Sequence, residues 1–393
     1  MKERLLQLIV CPLCGGALAC EIFERNTRNE IGAGLLTCAC GAAYPIIGGI
    51  ARLLPPALQS MLWEMHPDFF QMHAARLPSQ LMPKEGKAKA FNEDRALRAQ
   101  RDTARSFGYE WQAFSEMLPD YESNFRWYFE RFEADQLASA LVLDAGCGTG
   151  RHTFHMARSS GAREVVAMDF SQAIEVAAYN NRANSNTHFV QADIYHPPFP
   201  PRSFDLVYSL GVLHHLPDPE KGFRTLLPLL RAGGFMNIYL YWNLEGEPAW
   251  RRAALRGVTE VRRITTRIPH ALLKKLSWLI AAGFEVAFVT PARYLDRFSA
   301  TRRLADRVPL GHYRKYSFRV LYTDQFDRFS APIENRYSRA EVAGWFERAG
   351  GLEDLVILGG AGWRASARRA HSSVTAIEGE ESVVTPLAAT ETK

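Results

Sequence analysis

The run Leu141-Val142-Leu143-Asp144-Ala145-Gly146-Cys147-Gly148-Thr149-Gly150 constrains this chain more than any other stretch. Three apolar residues read as a buried strand, an acid closes it, and glycines at alternate positions lead into a helical pattern from Arg151. Strand, glycine-rich turn and helix make the first unit of an open α/β sheet, where ligands bind beyond the carboxyl ends of parallel strands. Glycine lets a ligand approach the backbone where a Cβ would collide, and the helix N-terminus that follows favours an anionic group. The pattern then repeats. Val165–Met168 ends at Asp169, His188–Gln191 ends near Asp193, Phe204–Ser209 reads as a fourth strand and Gly234–Trp242 as a fifth. Asp169, 19 residues after Gly150, stands where an acid hydrogen-bonds ribose hydroxyls. The spacing Gly146-x-Gly148-x-Gly150 departs from the dinucleotide form. Asp144 would repel a pyrophosphate and attract an α-ammonium or a sulfonium.

The successive segments LVLDAGCGTGRH, VVAMDFS, FVQADI, FDLVYSLGVLHHLPDP and LLRAGGFMNIYLYW resemble, in order, the motifs of class I S-adenosylmethionine-dependent methyltransferases. Leu352–Leu358 and Trp363–Arg369 resemble that family's final antiparallel hairpin. The resemblance implies a seven-stranded Rossmann-like sheet with helices on both faces. It implies that Gly146, Gly148 and Gly150 contact the methionine part of the cofactor, with Asp144 beside them. Asp169 would hold the ribose and Asp193 the adenine amino group, with Phe170 and Ile194 next to those acids, and Ser209 and Gly211 would line the methyl-transfer side. Cys147 reads as a small packing residue.

His214 and His215 follow strand four. One of the two, His215 first, is a candidate general base if the acceptor must lose a proton; the competing role for His215 is to support a loop through its ring nitrogens. Phe107-Gly108-Tyr109-Glu110-Trp111 resembles the aromatic N-terminal lid of related enzymes, with Tyr109 the second catalytic candidate; plain core packing is the alternative. His152 and His155, one helical turn apart, have no evident third ligand and read as solvent-facing or packing residues.

Five of the six cysteines fall in the first 40 residues, in close pairs that suggest metal ligation more than a disulfide framework. Cys11-Pro12-Leu13-Cys14-Gly15-Gly16 is one half of a four-sulfur zinc site, and Cys38-Ala39-Cys40-Gly41 the other. Leu5–Leu54 resembles the small zinc-ribbon protein that binds and activates several tRNA and protein methyltransferases, here fused in cis. The second pair is one residue tighter than the common pattern, so a metal-free ribbon stays open and Cys20 is a substitute ligand.

The organisation expected is a zinc-ribbon-like module over 1–60 that ends at a linker, Leu53-Leu54-Pro55-Pro56. A helical linker and lid follow over 61–136, the methyltransferase core over 137–243 and a basic helical insert over 244–329. A helix (Arg339–Ala349) and strand pair lie in 330–370, and a disordered tail in 371–393. Between Leu244 and Arg319 the chain holds 16 Lys and Arg against 6 Asp and Glu, a balance of +10; the whole chain is +5, so the remainder is −5. Leu272–Ile280 there is basic and amphipathic, suited to an anionic membrane surface, to RNA phosphates, or to a solvated cap over the active site. No apolar run reaches the roughly 18 residues of a membrane span, and the opening MKERLLQLIV reads as a helix entering a folded module instead of a signal peptide. The expected location is the cytoplasm, with peripheral contact to a membrane. The acceptor expected is a small or lipid-linked molecule, because the double histidine resembles the small-molecule branch. The alternatives are an RNA base methyltransferase with a zinc ribbon, and a non-catalytic cofactor-binding scaffold.

Overall fold

Parallel strands buried on both faces need continuous apolar runs, and the segments between 141 and 241 supply them. A computed structural model describes residues 1–82 and 95–371. The tail expected to be disordered lies, from 372 onward, outside the described residues.

Four strands open the chain: β1 (Leu18–Arg25), β2 (Ile31–Cys38), β3 (Ala43–Ile47) and β4 (Ile50–Leu53). Helices α1 (Ser60–Met65), α2 (Pro67–Met72), α3 (Arg95–Ala113), α4 (Asp120–Tyr128) and α5 (Ala134–Leu137) follow. Strands and helices then alternate: β5 (Leu141–Ala145), α6 (Arg151–Ser159), β6 (Glu164–Asp169), α7 (Ala173–Asn180), β7 (Thr187–Ala192), β8 (Phe204–Leu210), α8 (Pro219–Leu226) and β9 (Leu230–Tyr241). The insert comprises α9 (Ala249–Thr265), α10 (His270–Phe284), α11 (Thr290–Asp296), α12 (Arg302–Ala305) and α13 (Phe318–Ser330). A helix α14 (Arg339–Ala349), opened by a capping box of Ser338 and Glu341, precedes β10 (Leu352–Leu358) and β11 (Gly362–Arg369).

All eleven strands form one sheet in the order β1-β2-β3-β4-β7-β6-β5-β8-β9-β11-β10. The last seven of that order are the expected Rossmann-like sheet: β5 to β9 run parallel and β11 is antiparallel to β9. The other four extend it. Strand β4 pairs parallel with β7, setting Ala51, Arg52 and Leu53 opposite Val190, Gln191 and Ala192. Without β4, strand β7 would present an unpaired edge.

Leu53-Leu54-Pro55-Pro56 therefore does not act as a linker between separate bodies: Leu53 and Leu54 are fully buried. Alternate residues of β3 and β4 face two cores. Tyr44, Ile46, Ala51 and Leu53 join the cluster that contains Val190, Phe199 and Leu213. Ala43, Ile47 and Leu54 join one closed by Leu58, Leu62 and Phe70 from the following helices. Each buried Leu, Ile or Phe among them stabilises the joint by about 1.5–3 kcal/mol. Arg52, 1 % exposed, donates to Gln191 Oε1 (2.9 Å), the Ile47 carbonyl (3.1 Å) and Glu175 Oε1 (3.0 Å), tying β4 to β7 and α7. No helix among the described residues is long and apolar enough to cross a membrane.

Candidate active site

The glycine loop is shaped by its neighbours. Gly146 (φ +90°) and Gly150 (φ +72°) occupy the left-handed region. A Cβ on Gly146 would lie 2.5 Å from a Val212 methyl, and one on Gly150 would lie 2.6 Å from Asn181 Nδ2. The loop thus approaches the turn after β8 on one side and α7 on the other. Asp144, at the end of β5, turns into the sheet: its Oδ2 accepts from Thr153 Oγ1 (2.6 Å) and Tyr208 OH (2.8 Å). Burial pushes its carboxyl up to about 7 despite those two donors.

Asp169 closes β6 and holds the loop: Oδ2 accepts from Gly148 N (2.9 Å), and Oδ1 from Ser171 N (2.8 Å) and Oγ (2.7 Å). Phe170 follows it, its carbonyl accepting from Gln191 Nε2 (3.0 Å). Asp193, just beyond β7, accepts on Oδ1 from Gln100 Nε2 (2.8 Å) and Tyr195 N (3.1 Å), and its Oδ2 meets His196 Nδ1 (3.0 Å). Ile194 beside it is buried. Ser209 is buried and donates to the Ala145 carbonyl (2.8 Å), joining the ends of β8 and β5, while a Cβ on Gly211 would meet open space. Cys147 and His152 are buried packing residues, as expected; His152 meets the edge of Tyr128.

Helix α3 crosses this whole row. Its Gln100 reaches Asp193, its Gly108 lies against Ser171 and Gln172, and its Trp111 covers Gly148. Phe107 packs on His215 with ring centroids 4.8 Å apart. The segment expected to be an aromatic lid therefore lies over the glycine loop, with Arg151 beneath Trp111 and Tyr121. Tyr109, a catalytic candidate, faces the insert, its ring 5.0 Å from His270 and 5.9 Å from Phe326. His215 Nδ1 lies 2.6 Å from the Ile333 carbonyl. A carbonyl only accepts, so Nδ1 donates; the ring holds the loop before α14, and in the neutral form its lone pair is on Nε2.

Beside these two candidates stand His214, named with His215 from the sequence, and three acids that sequence reasoning missed: Glu110, Asp324 and Asp327. Helices α3 and α13 pack antiparallel: Ser106 Oγ donates to the Ser330 carbonyl (2.9 Å), and Phe114 meets Tyr322 (4.9 Å). This brings Glu110 of α3 towards Asp324 and Asp327 of α13. Glu110 is fully buried with neither carboxylate oxygen bonded. Burial, reinforced by Asp327 and Asp324, pushes it well above the usual carboxylate range, with Arg151 opposing. Asp327 accepts from Tyr241 OH on Oδ2 (3.1 Å) and leaves Oδ1 buried and unpartnered. Asp324 accepts from Tyr313 OH (2.7 Å) and is pushed by burial to about 6. His214 is fully buried, neither ring nitrogen has a partner, and its ring lies 3.9 Å from that of Tyr241. Burial holds it well below the usual imidazole range, hence neutral. Two signals were legible: an acid inside FGYEW, and two acids three apart on a helix whose Leu321, Tyr322 and Phe326 are apolar.

In the ribbon, Cys11 Sγ lies 3.8 Å from Cys40 Sγ and Cys14 Sγ 3.4 Å from Cys38 Sγ, all four within 4.8 Å of one another. Zinc–sulfur bonds of about 2.3 Å at tetrahedral angles put sulfurs about 3.8 Å apart, so this set fits a zinc ion despite its tighter second pair. Cys20 stands outside the cluster.

Residues 142–234 match the family model described as a methyltransferase domain, and residues 2–49 match the one described as Trm112p-like protein. The chain thus joins a Trm112p-like module to a methyltransferase domain. It is 29% identical over 242 residues to an uncharacterised protein of Synechococcus sp., covering 58% of this chain and 52% of that protein. It is 32% identical over 126 residues to a tRNA U34 carboxymethyltransferase of Idiomarina loihiensis (29% and 37% covered). It is also 32% identical over 146 residues to the methyltransferase GfsG of Streptomyces halstedii (36% and 52% covered). The chain spans about half or less of the length of these relatives.

Proposed function

We propose that this chain methylates a small or lipid-linked acceptor with S-adenosylmethionine, the acceptor entering between α3, α13 and the end of β9. The observation that carries the reading is the course of α3. One face of the helix covers the row from the glycine loop to Asp193, while Glu110 stands unpartnered beside Asp327. The cofactor fits the row: the loop carries no side chain at Gly146, Gly148 or Gly150, Asp169 and Asp193 close successive strands, and Arg151 opens the helix after the loop. When bound, it supplies a methyl already activated on a sulfonium. Arg151 would then hold the donor's carboxylate, Asp169 its ribose and Asp193 its adenine. Trp111 and Phe107 exclude water from the row. Glu110, held toward its protonated form by burial, offers the acceptor a hydrogen-bond donor, while Asp327 and the neutral His214 offer acceptor atoms, and one of those two takes the acceptor's proton.

A second reading, methylation of an RNA base, is favoured by the similarity to tRNA U34 carboxymethyltransferases and by the basic insert. The buried acids of α13 weigh against it, because phosphates near the carboxylates of Asp324 and Asp327 would be repelled. Calorimetry with S-adenosylmethionine tests the cofactor row. Incubation of labelled cofactor with cell extract, fractionated into RNA, protein, lipid and small molecules, tests the acceptor: label confined to RNA selects the second reading, and no cofactor binding refutes both.

A further inference from the structure

Helices on a protein surface ordinarily turn an apolar stripe inward and a polar one outward. The insert breaks this rule. Helix α10, a π-helical turn (Glu285–Val289) and α11 follow one another without a break, a rod roughly 40 Å long at about 1.5 Å per residue. Its inner side is apolar in the ordinary way: Leu273, Ala281 and Val289 pack on Leu321 and Phe326. Its outer side is apolar as well. Leu272, Leu276, Leu279, Val286, Tyr294 and Phe298 are all exposed, Val286 at 75 %. Helix α9 adds exposed Trp250 and Ile264.

The charges beside this stripe have one sign. Acids of the insert are consumed locally: Glu247 pairs with Arg251 (2.7 Å), Glu260 with Arg263 (2.6 Å), Glu285 with Arg293, and Asp306 with Arg314 (2.6 Å). Arg256, Arg267, Lys275 and Arg297 have no ion-pair partner among the described residues. Lys275 stands one residue from Leu276, and Arg297 one residue from Phe298.

We infer that the outer face of α10 and α11 docks on an anionic lipid bilayer. Exposed aliphatic side chains gain only where an apolar medium receives them, and the uncompensated cations beside them match anionic headgroups. RNA would satisfy the cations but not Leu276, Leu279 or Val286, since bases stack on aromatic rings and not on aliphatic chains. A second copy of the chain docked on the same face would bring two +10 segments together. The inference does not depend on methyl transfer and stands or falls separately from it.

The test is flotation of the full chain with vesicles of phosphatidylcholine and phosphatidylglycerol, and with phosphatidylcholine alone. Binding to the anionic vesicles only, weakened by salt, is expected. The substitutions Leu276→Ser, Leu279→Ser and Val286→Ser together should weaken it at least tenfold with an unchanged melting temperature. Lys275→Glu with Arg297→Glu, which leaves the stripe intact, should weaken it as well. Failure of the parent chain to float with anionic vesicles overturns the inference, as does undiminished binding by the serine variant. Filter binding of single-stranded RNA, or concentration-dependent dimers in light scattering, without vesicle binding would assign the face to those partners instead.

Discussion

The two ends of the candidate site are built in opposite ways. At the cofactor end Asp144, Asp169 and Asp193 already hold protein donors. At the acceptor end Glu110, one oxygen of Asp327 and both nitrogens of His214 are buried with none. Buried polar atoms without partners cost about 1–3 kcal/mol each, so the second end carries a penalty that a ligand with polar hydrogens would relieve. The difference teaches where each kind of specificity sits. Under the proposed function, the cofactor would meet a cradle of glycines and strand ends, and the acceptor would meet side chains that hold no protein partner. The ribbon is a third case: four thiols from two distant pairs lie within 4.8 Å of one another and suit a metal ion.

The largest effect is expected there. Purified protein should carry about one zinc per chain, and a chelator or Cys14→Ser should lower the melting temperature, since structural zinc contributes folding energy directly. Elemental analysis that finds no zinc would leave the ribbon to its own packing.

Next comes Asp144. Its folded value of about 7 lies above that of the unfolded chain, so the folded protein keeps a proton that the unfolded chain releases from about pH 4 upward. The associated stability is complete below the unfolded value and is lost as pH rises through about 7, a change of up to about 4 kcal/mol. Asp144→Asn should flatten the decline of the melting temperature between those limits, and parallel profiles for parent and variant would remove Asp144 as its source.

Asp169→Ala tests the finished end. Losing the acceptor for Gly148 N and the ribose hydroxyls should weaken cofactor binding by about 1–3 kcal/mol, roughly five- to a hundred-and-fiftyfold, by calorimetry. Unchanged affinity would take Asp169 out of the cofactor site.

The smallest effect has the sharpest sign. Glu110→Gln removes an unpaired buried acid, so it should raise stability by about 1 kcal/mol while reducing methyl incorporation into the labelled extract fraction. A variant that melts lower and retains turnover would erase the contrast between the two ends.

The strands, their closing acids, the glycines and the boundaries of α14 were legible because each is a local matter. A parallel strand needs a short apolar run, a left-handed turn needs glycine, and a helix start needs its capping box. The cysteine pairs were legible for the same reason, although only the fold showed that a tighter second pair still brings four sulfurs together. What local pattern could not supply was the meeting of distant segments. Leu53-Leu54-Pro55-Pro56 has a linker's composition, yet it is held in the sheet because β7 offers an edge and Gln191 and Glu175 receive Arg52. FGYEW pointed to Tyr109, but the antiparallel crossing of α3 on α13 decides that Tyr109 stacks on His270 while Glu110 comes within electrostatic reach of Asp327. Helical period shows that Leu272–Ile280 is amphipathic, but only the packing of Leu273 and Ala281 inward leaves Leu276 and Leu279 outside. Periodicity reports which residues share a side of an element, and which side another element covers is decided by contacts between residues far apart in the chain.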